Sequence, residues 1–317
     1  MKVSILIPVY GVERYIEACV RSLMEQTYKD IEYIFVNDCT PDDSIRVLLE
    51  TVNQYPDRSH QVRIVEHKEN KGVGAVRQSA LQAATGDVIL FVDSDDYIAD
   101  HAVELLVKKM LNDHVDIVDG GFAVVANGEI TKRVTPPHMS TQSYLKRVLC
   151  QNLEPSRIWG RLISRPLFVD HHIIFQDGID YSEDFSVLPL LLINGSRSWI
   201  DESIYFYRDD SPNSYTNNIS AKSAVSFFRA NQLIGSSLMS HHLWKEFKIA
   251  TEIGWVNVQR FARRFNIEKS LLDQHFTLRP ANPVLKALCC MMRSKHVPEG
   301  LPVFMYKAIR RVYLSMA

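Results

Sequence analysis

The stretch GDVILFVDSDDYI, residues 86–98, runs an apolar segment directly into a cluster of three carboxylates. Its apolar part, VILFV (88–92), is typical of a short strand that is buried in a sheet. Asp93, Asp95 and Asp96 follow within four positions. Like charges this close repel one another, so the arrangement costs free energy unless a positive group lies among them. The pattern therefore predicts a cation at the end of a buried strand.

Four more apolar runs of the same kind occur in the first 120 residues, with helix-like patterns between them. They are VSILI (3–7), IEYIFV (31–36), VRIV (62–65) and VDIVD (115–119). Strands that alternate with helices predict an α/β fold, with a mostly parallel sheet that is covered on both faces. We also expect Thr40 and Asp100 to be the N-caps of two helices, with Pro41 at the first helical position.

The residues that follow these runs should lie together, because the carboxyl ends of parallel strands meet at one edge of the sheet, where ligands bind. They are Pro8-Val9-Tyr10, Asn37-Asp38-Cys39, Glu66-His67-Lys68 and Asp93-Ser94-Asp95. A divalent ion that joins the carboxylates to a diphosphate would relieve their repulsion. The pattern thus predicts a metal-assisted phosphate site at this edge.

Composition excludes several classes of protein. At 317 residues, with 46% hydrophobic and 23% charged side chains, the chain has the composition of a soluble globular protein. Its five cysteines are odd in number and form no C-x-x-C pair, which argues against a disulfide framework and a structural zinc site. They fit a reducing, cytoplasmic environment. We expect no signal peptide, no transmembrane segment and no nucleic-acid partner.

Common phosphate-binding and hydrolytic motifs are absent from the sequence. It contains no G-x-x-x-x-G-K-[ST] loop, no H-E-x-x-H and no G-x-S-x-G. The segment GVGAVR (72–77) begins as G-x-G, but Arg77 stands where a dinucleotide fingerprint has its third glycine. What remains is a phosphate site built from carboxylates and a metal ion.

Three blocks of the sequence carry a resemblance to a known family. They are VSILIPVYGVERYIEACVRSLMEQTYKDIEYIFVNDCTPDDS (3–44), NKGVGAVRQSALQAATGDVILFVDSDDY (70–97) and YSEDFSVLPLLL (181–192). In order and spacing they resemble the signature blocks of family-2 glycosyltransferases with the GT-A fold, over roughly residues 1–215. The resemblance implies an inverting transferase that takes a sugar from a nucleotide diphosphate, usually a UDP-sugar, with Mn²⁺ or Mg²⁺ as cofactor.

The resemblance also implies roles for residues along the predicted edge. The base pocket would be lined by Pro8, Val9 and Tyr10, and the other implied pocket residues are Glu13, Lys71 and Ser94. Asp38 would hydrogen-bond the uracil or its ribose. Asp93 and Asp95 are the outer members of the family's D-x-D motif: Asp95 would ligate the metal, with Asp93 beside it against the ribose or donor sugar. Arg77 lies either near the diphosphate or donor sugar, or in an ion pair on the helix surface.

The segment SEDF (182–185) would supply the catalytic base. The resemblance points to Asp184, with Glu183 as the fallback, as the group that takes the proton from an acceptor hydroxyl. Taken without the resemblance, the same residues are typical of a helix start, with Ser182 as cap and two acids favoured by the helix dipole.

Other residues of the second half have open alternatives. Trp159 stacks on an acceptor or donor sugar, or it belongs to the core. Arg208 or Ser214 would fold over the diphosphate. The chain departs from the family's common residues at Gly11, Cys39-Thr40 and Gln78, which leaves the nucleotide base less certain.

The predicted organisation is a GT-A catalytic domain at 1–218, with a nucleotide-binding half at 1–120 and an acceptor half at 121–218, and a helical region at 219–317. The predicted function is transfer of a sugar from a nucleotide-diphosphate sugar to a glycan or lipid-linked acceptor, as in surface polysaccharide or lipopolysaccharide synthesis. The alternatives are a sugar nucleotidyltransferase and a non-catalytic nucleotide-sugar-binding protein.

The C-terminal part of the chain is basic. Residues 241–317 hold 13 Lys and Arg against 5 Asp and Glu. Its last segment, LPVFMYKAIRRVYLSMA, has the pattern of a basic amphipathic helix. Such a helix either packs on the protein's own core or lies on an anionic membrane surface, so peripheral membrane contact is one possible role.

Overall fold

The structure is a computed structural model that describes residues 1–151, 156–209, 219–294, 297–298 and 300–316. Its strands are β1 (Val3–Val9), β2 (Ile31–Asn37), β3 (Val62–Glu66), β4 (Val88–Phe91), β5 (Tyr97–Ile98), β6 (Ile117–Ala126), β7 (Glu129–Val134), β8 (Arg161–Ser164) and β9 (Arg197–Arg208). Its helices are α1 (Ile16–Met24), α2 (Ser44–Val52), α3 (Pro56–Ser59), α4 (Val73–Ala83), α5 (Ala102–Asp113), α6 (Thr141–Leu149), α7 (Arg165–Asp170), α8 (Glu183–Asn194), α9 (Ala221–Ser240), α10 (Trp244–Arg264), α11 (Lys269–His275), α12 (Pro283–Arg293) and α13 (Gly300–Met316).

The chain divides into two compact units. The first comprises Met1–His138, Ile158–Gly178 and Asn194–Ser214, and it contains all nine strands of the described residues. The second comprises Met139–Arg157, Ile179–Ile193 and Tyr215–Ala317. Each unit is assembled from segments that are distant in sequence. The domain boundary that the sequence suggests at residue 218 stays a prediction.

The first unit begins with the parallel arrangement that the sequence predicts. The strand order starts β3-β2-β1-β4, and each of these neighbours is parallel. Helices α1, α2, α3 and α4 lie in the connections between these strands. Every residue of β4 is buried, and so are six of the seven residues of β1. Strands covered on both faces carry continuous apolar runs, which is why the runs were visible in the sequence.

Beyond β4 the sheet becomes mixed. The order continues β8-β6-β9-β5, with β7 paired to β6. β8 is antiparallel to both β4 and β6, whereas β6 and β9 are parallel to each other. The predicted strand at 115–119 is therefore present as the start of β6, but β8, a later segment of the chain, lies between it and β4. The result is the predicted α/β class, with one mixed, mainly buried sheet and flanking helices.

The second unit is helical, with α10 at its centre. α10 contacts α6, α9, α12 and α13. Polar side chains on α10 are buried and paired: the Glu252 carboxylate accepts from the backbone N–H groups of Ala281 and Asn282, both at 3.0 Å. Among the described residues, no helix combines the length and the apolar character that crossing a bilayer requires.

Two predicted helix starts are wrong. α2 begins at Ser44 with Asp43 as its N-cap residue, so Thr40 and Pro41 precede the helix. The Thr40 hydroxyl instead accepts from the backbone N–H of Gly11 at 2.9 Å, which ties the loop after β2 to the loop after β1. α5 likewise begins one residue later than expected, with His101 rather than Asp100 at the N-cap position.

Gly121 marks an irregularity where β6 pairs with β9, because the register shifts on both sides of it. A Cβ atom at this position would lie 2.6 Å from the carbonyl oxygens of Asp201 and Glu202, which are backbone atoms and cannot move aside cheaply. We expect Gly121→Ala to lower the free energy of unfolding by about 1–3 kcal/mol in urea titrations. Gly300→Ala is the control, since a Cβ there has nothing within 4 Å. Equal stability of the two variants would contradict this account.

Candidate functional site

The carboxyl ends of β1 to β4 meet at one edge of the sheet. The Asp38 N–H, just after β2, donates to the carbonyl of Val9 at the end of β1, at 3.1 Å. The His67 N–H, just after β3, donates to the carbonyl of Asn37 at 2.9 Å. β4 pairs with the other side of β1, which brings Asp93 to the same edge. The alignment predicted from the sequence is thus present.

The three carboxylates after β4 have different surroundings. Asp96 is 1% exposed and accepts hydrogen bonds from the Tyr205 hydroxyl and the Arg208 backbone N–H, both at 2.7 Å. The Tyr205 oxygen in turn accepts from the backbone N–H of Asp93 at 3.1 Å. Asp93 and Asp95 are only partly buried. β9 therefore ties down the inner carboxylate and leaves the outer two nearer the surface.

Burial is costly for these ionised groups. It raises the pKa of Asp95 to about 6, and the neighbouring charge of Asp93 adds to the rise. Burial, and then the charges of Asp95 and Asp93, raise the pKa of Asp96 well above its ordinary value. The guanidinium groups of Arg208 and Arg77 oppose the rise at Asp95. The site consequently favours a ligand that brings further positive charge close to Asp95.

Arg77 projects from α4 toward the cluster. Its Nη2 atom is 3.2 Å from Oδ1 of Asp93, and its side chain is 4% exposed. The guanidinium carbon also lies 5.6 Å from the centre of the Phe91 ring at the end of β4. An ion pair is therefore present, but it is buried rather than on the helix surface. A contact between Arg77 and a diphosphate or donor sugar stays a prediction.

Arg208 ends β9 beside the same cluster. Its guanidinium carbon lies 5.6 Å from the centre of the Tyr15 ring and 5.2 Å from that of the Tyr97 ring. Cation–π contacts of this kind contribute about 0.5–2 kcal/mol. The side chain is thus positioned by two aromatic rings, and its backbone is positioned by Asp96.

Asp38 is 2% exposed and engaged on both carboxylate oxygens. The backbone N–H groups of Lys71 and Gly72 each donate to it at 2.9 Å. The Nδ1 atom of His67 is 2.7 Å from Oδ1. A carboxylate offers about four acceptor positions, so these three contacts leave capacity for one more. The predicted hydrogen bond from Asp38 to uracil or ribose stays a prediction.

The remaining residues of the predicted pocket differ in exposure. Val9 and Ser94 are buried, Pro8 is partly buried, and Tyr10, Glu13 and Lys71 are exposed. Glu13 also joins two loops, because its N–H donates to the Asp42 carboxylate (3.0 Å) and its carboxylate accepts from the Asp43 N–H (3.3 Å). All lie in the first unit. Their contacts with a nucleotide stay predictions.

The loop after β2 shows the backbone strain at one departure from the family pattern. Cys39 has a φ of 56°, in the left-handed region that glycine adopts most readily. A glycine at this position would relieve that strain. Gly11 in the facing loop has a φ of 68°, so it suits its position.

Trp159 lies within an aromatic cluster of the first unit. Its ring stacks on Tyr205 and Tyr207, with centroid distances of 4.3 and 5.5 Å, and meets the edge of Phe122 at 5.1 Å. The residue is partly buried. The core alternative therefore has direct support, and stacking on a sugar stays a prediction.

The predicted base belongs to the second unit. Glu183 and Asp184 form the first turn of α8, where the helix dipole favours negative charge. Both side chains are partly buried. Their catalytic roles stay predictions, and Ser214 lies outside the described residues.

Three tyrosines that hold the site were not predicted from the sequence. They are Tyr15, Tyr97 and Tyr205. Tyr97 directly follows the carboxylates, but Tyr205 is 109 residues from its partner Asp96 and carries no local signal of that pairing. Within the described part of the chain, no group of three or more His, Cys, Asp or Glu side chains is arranged to hold a metal ion.

Comparisons with known proteins assign this chain to a family. The model of "Glycosyl transferase family 2" matches residues 4–170. The uncharacterized glycosyltransferase EpsJ of Bacillus subtilis is 33% identical over 223 residues, which are 68% of this chain and 62% of EpsJ. Poly(ribitol-phosphate) beta-glucosyltransferase of Bacillus spizizenii is 44% identical over 106 residues, 32% of this chain and 16% of that protein. The chain thus spans less than two thirds of these relatives.

A solved structure shows the same fold. TarS 1-349 from S. aureus, in complex with UDP-GlcNAc, is 19% identical, has a TM-score of 0.63, and aligns over 99% of this chain and 91% of its own. At this identity the likeness concerns the fold, and it confirms the predicted GT-A class. Because the family model covers more than half of the chain, the protein belongs to glycosyltransferase family 2.

Proposed function

We propose that the protein transfers a sugar from a nucleotide-diphosphate sugar, specifically a UDP-sugar, to a hydroxyl group of a glycan or lipid-linked acceptor, with inversion at the anomeric carbon. The observation that carries this proposal is the carboxylate cluster at the carboxyl ends of parallel strands, opposed by Arg77 and Arg208. TarS is a protein crystallised with UDP-GlcNAc, and another relative is named for poly(ribitol phosphate). Both support a nucleotide-sugar donor and a surface-polymer acceptor, in the setting of surface polysaccharide synthesis.

The donor would bind along the edge of the sheet. The base would lie against Pro8, Val9 and Tyr10, with the diphosphate near Asp93 and Asp95. Arg77 is buried and already paired with Asp93, so it supplies fixed positive charge there. Arg208 is held by aromatic rings and so has more freedom to approach the diphosphate.

A divalent ion, Mn²⁺ or Mg²⁺, fits the residues present. Carboxylate oxygens are the ligands that such ions prefer, and Mg²⁺ commonly uses one or two carboxylates together with substrate phosphates. Asp95, with Asp93, would hold it, and a cation there would offset the burial and the charge of Asp93 that raise the pKa of Asp95. When bound, the ion neutralises charge on the departing diphosphate.

Asp184 would act as the general base. Its carboxylate takes the proton from the acceptor hydroxyl while that oxygen forms a bond to the anomeric carbon. The bond from the anomeric carbon to the diphosphate oxygen breaks in the same step, and the nucleoside diphosphate leaves with the electron pair. A single displacement inverts the configuration, and base assistance of this kind contributes about 10²- to 10⁴-fold in rate.

The first test is release of UDP from a panel of UDP-sugars with Mn²⁺. We expect slow hydrolysis by the wild type, faster release when a hydroxyl acceptor is present, and a loss of about 100-fold or more in Asp184→Asn with little change in donor KM. Asp177→Asn, an exposed carboxylate on the preceding loop, is the control.

Other outcomes assign other functions. Pyrophosphate release from a nucleoside triphosphate and a sugar phosphate would indicate a nucleotidyltransferase. Thermal stabilisation by UDP-sugars without any UDP release, with or without glycan acceptors, would indicate a non-catalytic binding protein. Either result would overturn the proposal.

A second prediction concerns the stability of the metal-free protein. The pKa of Asp95 is raised from its ordinary 3.8 to about 6 in the folded protein, so the folded state binds the proton more tightly than the unfolded state. The free energy of unfolding therefore falls as the pH rises from about 4 to about 6. Above about pH 6 the ionised Asp95 carboxylate destabilises the folded state to its full extent. In EDTA we expect Asp95→Asn to be more stable than the wild type by about 1–2 kcal/mol at pH 7.5 and about equal at pH 4.

The melting temperature in the presence of Mn²⁺ tests whether Asp95 binds the metal ion. Mn²⁺ should raise the melting temperature of the wild type and leave that of Asp95→Asn unchanged. Asp100→Asn is the control, because it removes an exposed carboxylate from the same segment. It should not raise the free energy of unfolding in EDTA. If Asp95→Asn is no more stable than the wild type at pH 7.5, the electrostatic account is wrong.

We further propose that α13 lies on an anionic membrane surface, where a lipid-linked acceptor would be found. Tyr306 of this helix is 2% exposed and packs inward, but Leu301, Phe304 and Val312 are 52%, 71% and 59% exposed. The apolar residues thus divide between two faces rather than forming the one face expected. Lys307 and Arg311 are exposed beside the outer group, which matches the charge of an anionic lipid surface.

Flotation with liposomes tests this surface. The full-length protein should float with vesicles that contain anionic lipid, less so at high salt, and far less with neutral vesicles. The double variant Leu301→Ser, Phe304→Ser should lose about tenfold in the bound fraction, since two apolar anchors are removed. Val284→Ser, which alters a 57% exposed apolar residue on α12, should float like the wild type. Equal flotation of all three proteins would reject the membrane role.

A further inference from the structure

We propose that Asp38, His67 and Ser79 form a clamp that holds the loop of residues 67–72 and the start of α4, and that His67 is a positioning residue for donor binding. These three side chains are called the Asp38 clamp below. The inference rests on the proposed function for its link to the donor, but the clamp itself is a feature of the free protein.

The clamp includes two backbone N–H groups of the loop, and both donate to a carboxylate outside the loop. The N–H groups of Lys71 and Gly72 point to the two oxygens of Asp38, each at 2.9 Å. Gly72 has a φ of 88°, a conformation that favours glycine, and it directly precedes α4. One buried carboxylate therefore sets both the path of the loop and the position at which α4 starts.

His67 connects the carboxylate to α4 from the other side. Its Nδ1 is 2.7 Å from Oδ1 of Asp38, and its Nε2 is 2.8 Å from the Ser79 hydroxyl oxygen. With the proton on Nδ1, the ring donates to the carboxylate and accepts the hydroxyl hydrogen of Ser79. The Asp38 carboxylate, which only accepts, thereby favours the proton on Nδ1, and Ser79 holds the orientation of the ring.

The connectivity resembles that of a hydrolytic Ser-His-Asp triad, but the surroundings indicate a structural use. The His67 side chain is only 6% exposed, and the Asp38 side chain is 3% exposed. The carboxylate also accepts two backbone N–H groups, which fix it to the loop rather than leaving it to orient the ring alone. Ser79 lies in the middle of α4.

The clamp reaches the candidate site through α4. Arg77 lies five residues beyond Gly72 on this helix, and its guanidinium meets Asp93 at 3.2 Å. Five helical residues span roughly 7.5 Å, a length over which a helix moves as one body. Displacement of Gly72 would therefore displace Arg77 from Asp93 and would also move Lys71, an exposed residue of the loop.

The experiment separates the clamp from the donor. Hydrogen–deuterium exchange, followed by mass spectrometry, is measured on the peptide that contains Lys71 and Gly72, in the free protein without metal or nucleotide. Binding of UDP in the presence of Mn²⁺ is then measured by calorimetry on the same proteins. The variants are His67→Ala, His67→Asn and Ser79→Ala, and His60→Ala is the control because this histidine is exposed.

The expected results form a series. In His67→Ala the peptide should exchange about tenfold faster or more, and UDP binding should weaken about tenfold, because a bond to a buried charged group is lost. An asparagine amide can occupy the position of Nδ1. His67→Asn should therefore keep most of the slow exchange and most of the UDP affinity of the wild type. Ser79→Ala should change the exchange rate and the UDP affinity by about threefold each. His60→Ala should change neither.

Three outcomes count against the proposal or its basis. Unchanged exchange in His67→Ala and Ser79→Ala would overturn the clamp. Faster exchange with unchanged UDP affinity would overturn the positioning role of His67. If the wild type fails to bind UDP, the proposed donor is wrong, while the exchange series still decides whether the clamp exists. Should His67→Ala fail to fold, His67→Asn and Ser79→Ala carry the same comparison.

Discussion

Three carboxylates within four residues repel one another at the end of β4, and the first unit places two arginines and several hydrogen-bond donors where they offset that repulsion. Arg77 reaches the cluster from α4, while Tyr205 and Arg208 reach it from β9. The site is therefore complete only when β9 has paired with β6, although the carboxylates lie more than 100 positions earlier in the chain. Assembly of the mixed half of the sheet is thus a condition for the complete carboxylate cluster, and hence for the proposed donor site.

Much of the first half could be predicted from the sequence, because local patterns report it directly. Strands buried on both faces need continuous apolar runs, and parallel strands place the residues that follow them at one edge. Asp38 and Asp93 were located on this basis alone, and the structure brings them to the same edge. The family resemblance then identified the fold, which the comparison with TarS confirms.

What could not be predicted depends on contacts between distant segments. Thr40 has the chemistry of an N-cap, but a bond to Gly11 in another loop uses its hydroxyl, and α2 starts later. The position of β8 between β4 and β6 is set by pairing across long separations, which no local period records. For the same reason, the hydrogen bond from Tyr205 to Asp96 could not be predicted from the sequence. On α13, helical spacing grouped residues that tertiary packing then divided between two faces.

The two arginines beside the carboxylates differ in what holds them, and this difference assigns them different work. Arg77 is buried in an ion pair on a helix whose start is anchored by Asp38, so its charge is part of the fold. The guanidinium of Arg208 rests over the rings of Tyr15 and Tyr97, and such contacts are weak enough to exchange for a stronger anion. A diphosphate carries more charge than an aromatic face can offer. Under the proposed function, Arg208 is therefore the cation that can respond to a donor, and Arg77 is the one that stays paired with Asp93 before the donor binds.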